Sequence, residues 1–188
     1  MGFALARAAE ELGMQVTLVT GPTQLTKPDG VKLIEVDTAL EMKEAMDSYF
    51  DLANLIIMSA AVSDHRPILL SDKKINKDRF PMSLNLIKNP DILKYLGSKK
   101  RLDQVLVGFA AESHDIIESA TRKLNEKNLD WIVANNISDK RIGFSSDQNE
   151  VYLIGANGDF RQICLADKSI IAKEIMDAIY PTWLGKAH

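Results

Sequence analysis

Phe3, Leu5, Ala8, Ala9 and Leu12 recur near helical spacing and stop at Gly13, which predicts a helix at the start of the chain. The β-branched run Gln15 to Thr20 ends at Gly21-Pro22, and a second run spans Val31 to Val36, so two strands are expected there. Thr38, followed three residues later by Glu41, predicts a capped helix through Tyr49. The short, nearly all-apolar run Leu55 to Met58 reads as a buried parallel strand. The alternation then repeats, with a strand at Val105 to Ala110, a helix at Asp115 to Asn128 and a strand at Trp131 to Ala134. After Asn135 the pattern changes: Glu150 to Ile154, the turn Asn157-Gly158-Asp159 and Phe160 to Leu165 predict an antiparallel hairpin, and an Ile-rich helix from Lys168 to Tyr180 closes the chain. The expectation is an α/β, Rossmann-like fold, with a mostly parallel sheet, flanking helices and a C-terminal hairpin. Ligands of such sheets sit outside the carboxyl ends of the strands.

In nucleotide-binding domains of this class a strand and a glycine-rich turn precede the first helix and cradle phosphate at its N-terminus. Here the first helical pattern starts at Met1. The expectation is therefore a single domain over residues 1–188 whose first strand and phosphate loop are missing, with a lid near 69–82, where charges crowd and periodicity fades.

Composition narrows the classes. With 46% hydrophobic residues in 188, the chain can bury one sizeable core. A net charge of -3 provides no global basic field for nucleic acid or an anionic membrane surface, so any phosphate site must be local. Cys164 has no second cysteine to pair with, no apolar run reaches membrane-spanning length, and Met1 to Gly13 lacks the order of a signal peptide. A cytoplasmic protein is expected.

Ser59-Ala60-Ala61-Val62-Ser63-Asp64-His65-Arg66-Pro67 follows the Leu55 to Met58 strand. Small residues there let a ligand approach the backbone, and Asp64 can hold a hydrated divalent cation; a tight turn capped by Asp64 explains the same residues. Lys73-Lys74-Ile75-Asn76-Lys77 can neutralise a triphosphate or form a solvated loop. In Lys88-Asn89-Pro90-Asp91, Asn89 reads as a helix cap and Pro90 as the first helical residue, while Lys88 has no evident structural duty. Phe109, within Gly108-Phe109-Ala110-Ala111-Glu112, can lie against a base or fill the core. Lys123 and Lys127 project from one helix face, and a salt-bridged surface is their bland explanation. His65 and His114 lack partners at zinc-ligand spacing. The turn-rich Gly143 to Asp147 segment reads as a loop.

Taken in order, these segments, with Asp130-Trp131-Ile132-Val133-Ala134-Asn135, resemble phosphopantothenate-cysteine ligases of coenzyme A biosynthesis, over Met1 to about Tyr180. The resemblance implies CTP and Mg2+ as nucleotide substrate and metal, 4'-phosphopantothenate and cysteine as the molecules joined, an acyl-cytidylate intermediate and a homodimer. It also implies an upstream flavin-dependent decarboxylase domain in many members. By the same analogy Met58, Ser59 and Ala60 line the nucleotide, and Asp64 serves the nucleotide-metal region. Lys74 stabilises charge during activation; Lys88, Asn89, Pro90, Asp91, Phe109, Lys123 and Lys127 complete the nucleotide site. Asn76 stands where many members carry a further lysine. The family's Ser-Asn-x-Ser-Ser-Gly-Lys segment is absent, so the chain alone is expected to bind nucleotide yet fail to make product. The residues do not separate CTP from ATP.

Two other readings compete. Tyr95 and Lys99 match the Tyr-x-x-x-Lys spacing of short-chain NAD(P)-dependent oxidoreductases, though that class needs none of Lys74, Lys123 and Lys127. A non-catalytic nucleotide-binding module is the other.

Overall fold

The structure, a computed structural model, describes residues 1–69, 83–136 and 148–187. Helix α1 (Gly2–Glu11) buries Leu5, Ala6, Ala8 and Ala9, and the chain leaves it through Gly13 at φ +78°. A Cβ resists that left-handed conformation, so glycine suits the exit. Strands β1 (Thr17–Thr20) and β2 (Lys32–Glu35) pair in parallel. Helix α2 (Ala39–Phe50) starts on the predicted capping box: the Thr38 hydroxyl accepts from the Glu41 N–H at 3.1 Å, and the Glu41 carboxylate accepts from the Thr38 N–H at 3.3 Å.

A five-stranded sheet follows in the order β3-β6-β7-β8-β9. Strands β3 (Leu55–Met58), β6 (Val105–Glu112) and β7 (Trp131–Asn136) are parallel neighbours. Strands β8 (Gln148–Gly155) and β9 (Phe160–Asp167) add on antiparallel as the expected hairpin. The pair β1-β2 hydrogen-bonds to no strand of this sheet. Helices α3 (Ile92–Lys99) and α4 (Ile116–Glu126) flank β6, and α5 (Lys168–Ala187) closes the chain.

Strand periodicity divides the core into two layers. Val105 and Val107 of β6 face α1 and α5, where they meet Leu5, Ile171 and Ile175. Leu106 and Ala110 point the other way, to Phe50 of α2, Leu96 of α3 and Leu124 of α4. Val105, Leu106 and Val107 are each 0% exposed; burying such side chains contributes about 1.5–3 kcal/mol apiece before entropy is counted. Gln104, also 0% exposed, donates to the carbonyls of Phe50 and Ala53 at 2.6 and 2.9 Å, fastening the end of α2 to the start of β6.

Three local expectations need correction. Helix α3 is capped by Asp91, whose carboxylate accepts from the Lys94 N–H at 3.0 Å; Asn89 and Pro90 precede the cap. The Asn89 side chain is engaged elsewhere, which removes it from capping. Helix α5 runs past Tyr180 and through Pro181 to Ala187. An internal proline costs a helix about 3 kcal/mol, but tertiary bonds hold the continuation: Trp131 donates to the Thr182 hydroxyl at 3.1 Å, and Lys186 reaches Asp130 at 2.5 Å. Finally, the turn expected around Asp64 leads into an antiparallel ribbon, β4 (His65–Pro67) with β5 (Leu86–Lys88).

Candidate nucleotide site

The carboxyl edge of the parallel strands collects most of the candidate residues. Met58 ends β3 and is buried, while Ser59 and Ala60 lie progressively nearer solvent. A Cβ on Gly2 would sit 2.9 Å from the Ser59 hydroxyl oxygen, so the N-terminus of α1 abuts this edge. Small residues at both places keep the backbone approachable.

The β4-β5 ribbon joins the two central motifs. His65 pairs with Lys88, and the Asp64 carbonyl accepts from the Asn89 N–H at 2.8 Å. The Asn89 side-chain amide donates to the Ser63 carbonyl at 2.8 Å and accepts from the Arg66 guanidinium at 2.9 Å, which also donates to the Lys88 carbonyl at 3.0 Å. Asp64, Lys88, Asn89, Pro90 and Asp91 therefore form one cluster. The Asp64 carboxylate is exposed and makes no ion pair with any described residue. Magnesium bound to a nucleotide takes one or two carboxylates besides phosphate and water oxygens; a single open carboxylate fits that demand. Among the described residues no group of three or more His, Cys, Asp and Glu side chains could hold a metal alone.

Both helix lysines reach this neighbourhood. Lys123 of α4 pairs with Glu112, at the end of β6, at 2.6 Å, and Lys127, just past α4, pairs with Asp91 at 2.8 Å. Burial works against ionising Asp91, but the Lys127 ammonium and the Lys94 N–H outweigh it and hold the carboxyl below its ordinary range. Phe109 is half-buried on the opposite face of β6, among the residues facing α1 and α5. Lys74, with the rest of the lysine run and all but Leu69 of the expected lid, lies outside the described residues, as does the Gly143 to Asp147 loop. Arg66 was quoted within its motif but given no duty by sequence reasoning. Its partners lie 22 and 23 residues away, and no local pattern announces such bonds.

Tyr95 and Lys99 do meet, with the ammonium donating to the phenol oxygen at 2.7 Å. Both also contact Asp47 of α2, at 3.0 Å each. These hydrogen bonds, followed by the nearby Asp47 charge, raise the Lys99 pKa. The three side chains tie α3 to α2, and none of them contacts the Asp64 cluster.

The chain matches the family model of the DNA/pantothenate metabolism flavoprotein C-terminal domain over residues 1–182. It belongs to that family. A relative in Bacillus subtilis (strain 168), the coenzyme A biosynthesis bifunctional protein CoaBC, is 42% identical over 180 residues, covering 95% of this chain and 44% of the relative. The chain thus spans less than half the length of that relative. The crystal structure of the C-terminal domain of a CoaBC protein superposes with a TM-score of 0.81 at 35% identity, covering 96% of this chain and 81% of that one. A Cab2 mutant in complex with phosphopantothenate-cysteine shares the fold, with a TM-score of 0.62 at 20% identity over 84% of this chain and 55% of its own. The family's α/β architecture, with a mixed central sheet between helices, is the one described above. No helix among the described residues is long and apolar enough to cross a membrane.

Proposed function

We propose that this chain is a single ligase domain that joins 4'-phosphopantothenate to cysteine in coenzyme A biosynthesis, with CTP as the activating nucleotide and Mg2+ as its metal. The observation that carries the reading is the clustering of the Ser59 to Asp64 and Lys88 to Asp91 motifs with Lys127 at the carboxyl edge of the sheet, in a chain that matches the C-terminal domain of CoaBC along 96% of its length. A CTP-dependent ligase needs the substrate carboxylate to attack the nucleotide α-phosphorus, releasing pyrophosphate and leaving an acyl-cytidylate. The cysteine amine then attacks the acyl carbon, loses a proton and expels CMP. The protein's part is positioning and charge neutralisation.

In this reading Asp64 meets the nucleotide-bound magnesium, and Met58, Ser59 and Ala60 form the wall along which the nucleotide lies. Lys123 and Lys127 exchange their carboxylate partners for phosphate oxygens. Phe109 and the Lys88 to Asp91 segment frame the rest of the nucleotide. Lys74 supplies the mobile cation that meets charge developing during activation. The active species is a homodimer, joined in its full-length form to a flavin-dependent decarboxylase domain as the bifunctional relatives suggest, and it works in the cytoplasm.

Calorimetric titration tests the nucleotide class: CTP with magnesium binds more tightly than NADPH. Tighter NADPH binding, or no CTP binding at millimolar concentration, overturns the reading. The catalytic assignment is tested in a full-length form by pyrophosphate release from CTP and phosphopantothenate without cysteine. Lys74→Gln slows that release by about 100-fold or more, taking oxyanion-type donors as the guide, and parental rates of acyl-cytidylate formation would remove Lys74 from activation.

A further inference from the structure

The β4-β5 ribbon carries Asp64 at its entrance and Asn89 to Asp91 at its exit, yet little apolar surface holds it in shape. It forms a two-stranded sheet of its own, three residues to a strand, and none of residues 63–67 or 86–90 is buried. A two-stranded ribbon by itself is only marginally stable in water. Apolar packing resumes outside it, where Val62 and Ile92 join the layer of Phe50, Leu96 and Leu124. The bonds that fix Asp64 against the Lys88 to Asp91 segment must therefore be polar.

They converge on two half-buried side chains, Arg66 and Asn89. One guanidinium nitrogen of Arg66 donates to the Lys88 carbonyl at 3.0 Å and to the Asn89 side-chain oxygen at 2.9 Å. A guanidinium donates and never accepts, so it turns the oxygen of the Asn89 amide toward itself. The NH2 end of that amide then faces the Ser63 carbonyl and donates to it at 2.8 Å. Reversing the amide would set its oxygen against the Ser63 carbonyl oxygen, and its NH2 against a guanidinium that cannot accept. The Asn89 N–H meanwhile donates to the Asp64 carbonyl at 2.8 Å. The backbone around Asp64 is thus held at the carbonyls of Ser63 and Asp64, while its carboxylate stays exposed.

The same network reaches the helix lysine. Two residues beyond Asn89, Asp91 caps α3 through the Lys94 N–H at 3.0 Å and pairs with Lys127 at 2.8 Å. A short connected path therefore runs from Arg66 through Asn89, to Asp64 on one side and to Asp91 and Lys127 on the other.

We propose that Arg66 is a positioning residue of the nucleotide site: by fixing the orientation of the Asn89 amide it sets the spacing between the Asp64 carboxylate and Lys127, and it touches no substrate itself. The proposal rests on the ligase reading, in which Asp64 meets the nucleotide-bound magnesium and Lys127 meets phosphate.

The test compares a full-length form with its Arg66→Ala, Asn89→Ala and doubly substituted variants. Amide hydrogen exchange without ligand reads the ribbon directly. Arg66→Ala should speed exchange at the Asn89 N–H at least about tenfold, while the melting temperature stays within about two degrees of the parent, because the ribbon buries no side chain in the core. Calorimetric titration with CTP and magnesium reads the site. Each single variant should bind about tenfold more weakly, and the double variant no more weakly than Asn89→Ala, since a residue that acts through another adds nothing once that other is gone. Unaltered exchange at Asn89, or unaltered affinity of Arg66→Ala beside a parent that binds CTP, overturns the proposal and leaves the ligase reading standing. Losses that add in the double variant also overturn it, because Arg66 would then touch the ligand directly. So does a melting temperature lowered by many degrees, which would make Arg66 a residue of the fold. A parent that binds no CTP removes the ligase reading and the proposal together.

Discussion

The two ends of the parallel sheet use the same residue types for different work. At the amino edge Asp130, immediately before β7, accepts from the Leu106 N–H at 2.8 Å, from Lys100 at 3.0 Å and from Lys186 at 2.5 Å. Its side chain is 13% exposed and that of Lys100 10%, and the bonds fasten α5 and the segment after α3 to the sheet. At the carboxyl edge the Asp91 carboxylate is 46% exposed, and Lys127 is its ion-pair partner. A phosphate can replace a half-exposed carboxylate beside a lysine. Nothing from solution can replace Asp130 between two largely buried ammonium groups. The contrast separates an ion cluster that holds the fold from the Lys127–Asp91 pair, which can open to a ligand, and the exposure of the carboxylate, rather than residue type, makes the difference.

The largest expected effect is on stability. Asp130→Ala strands two ammonium groups in a mostly buried setting and should cost about 3 kcal/mol or more, seen as a midpoint shift in urea denaturation. A loss below about 1 kcal/mol would place Asp130 with the exposed pairs. Next comes Lys127→Ala, expected to weaken CTP-magnesium binding about tenfold, equivalent to about 1.4 kcal/mol, while the urea midpoint hardly moves. A collapse of stability with unchanged affinity would reverse the assignment of the two edges.

Acid titration probes the same contrast. Burial opposes ionisation of Asp130, but Lys186, the Leu106 N–H and Lys100 together hold its carboxyl below the ordinary range. A carboxyl depressed in the folded state contributes stability that is fully present above the unfolded value of about 3.9 and is lost as pH falls through the folded one. Asp130→Asn should therefore lower stability at neutral pH and flatten its fall below about pH 4. The smallest effect belongs to Tyr95→Phe in a full-length form. Turnover should stay within about twofold of the parent, against about 100-fold for loss of a general acid or base. A loss of that larger size would return the Tyr95/Lys99 pair to catalysis.

Features written within a few residues were legible in the sequence. The Thr38/Glu41 capping box formed as expected because its hydrogen bonds span three residues. The hairpin around Asn157-Gly158-Asp159 and the buried runs of β3, β6 and β7 followed from turn chemistry and apolar patterning. The order of motifs was equally legible, and it was enough to indicate the family to which the chain belongs.

Tertiary structure decided what depends on partners distant in sequence. Asn89 and Asp91 are both competent caps; Ser63 and Arg66 engage the first, which leaves α3 to the second. Pro181 reads locally as a stop, yet Trp131 and Asp130 hold the helix beyond it. Strands β4 and β5, three residues each, have too little pattern to be seen until they pair across the intervening chain. Local propensity and periodicity act over one or two turns of chain, whereas burial and long-range hydrogen bonding choose among the local options that sequence leaves open.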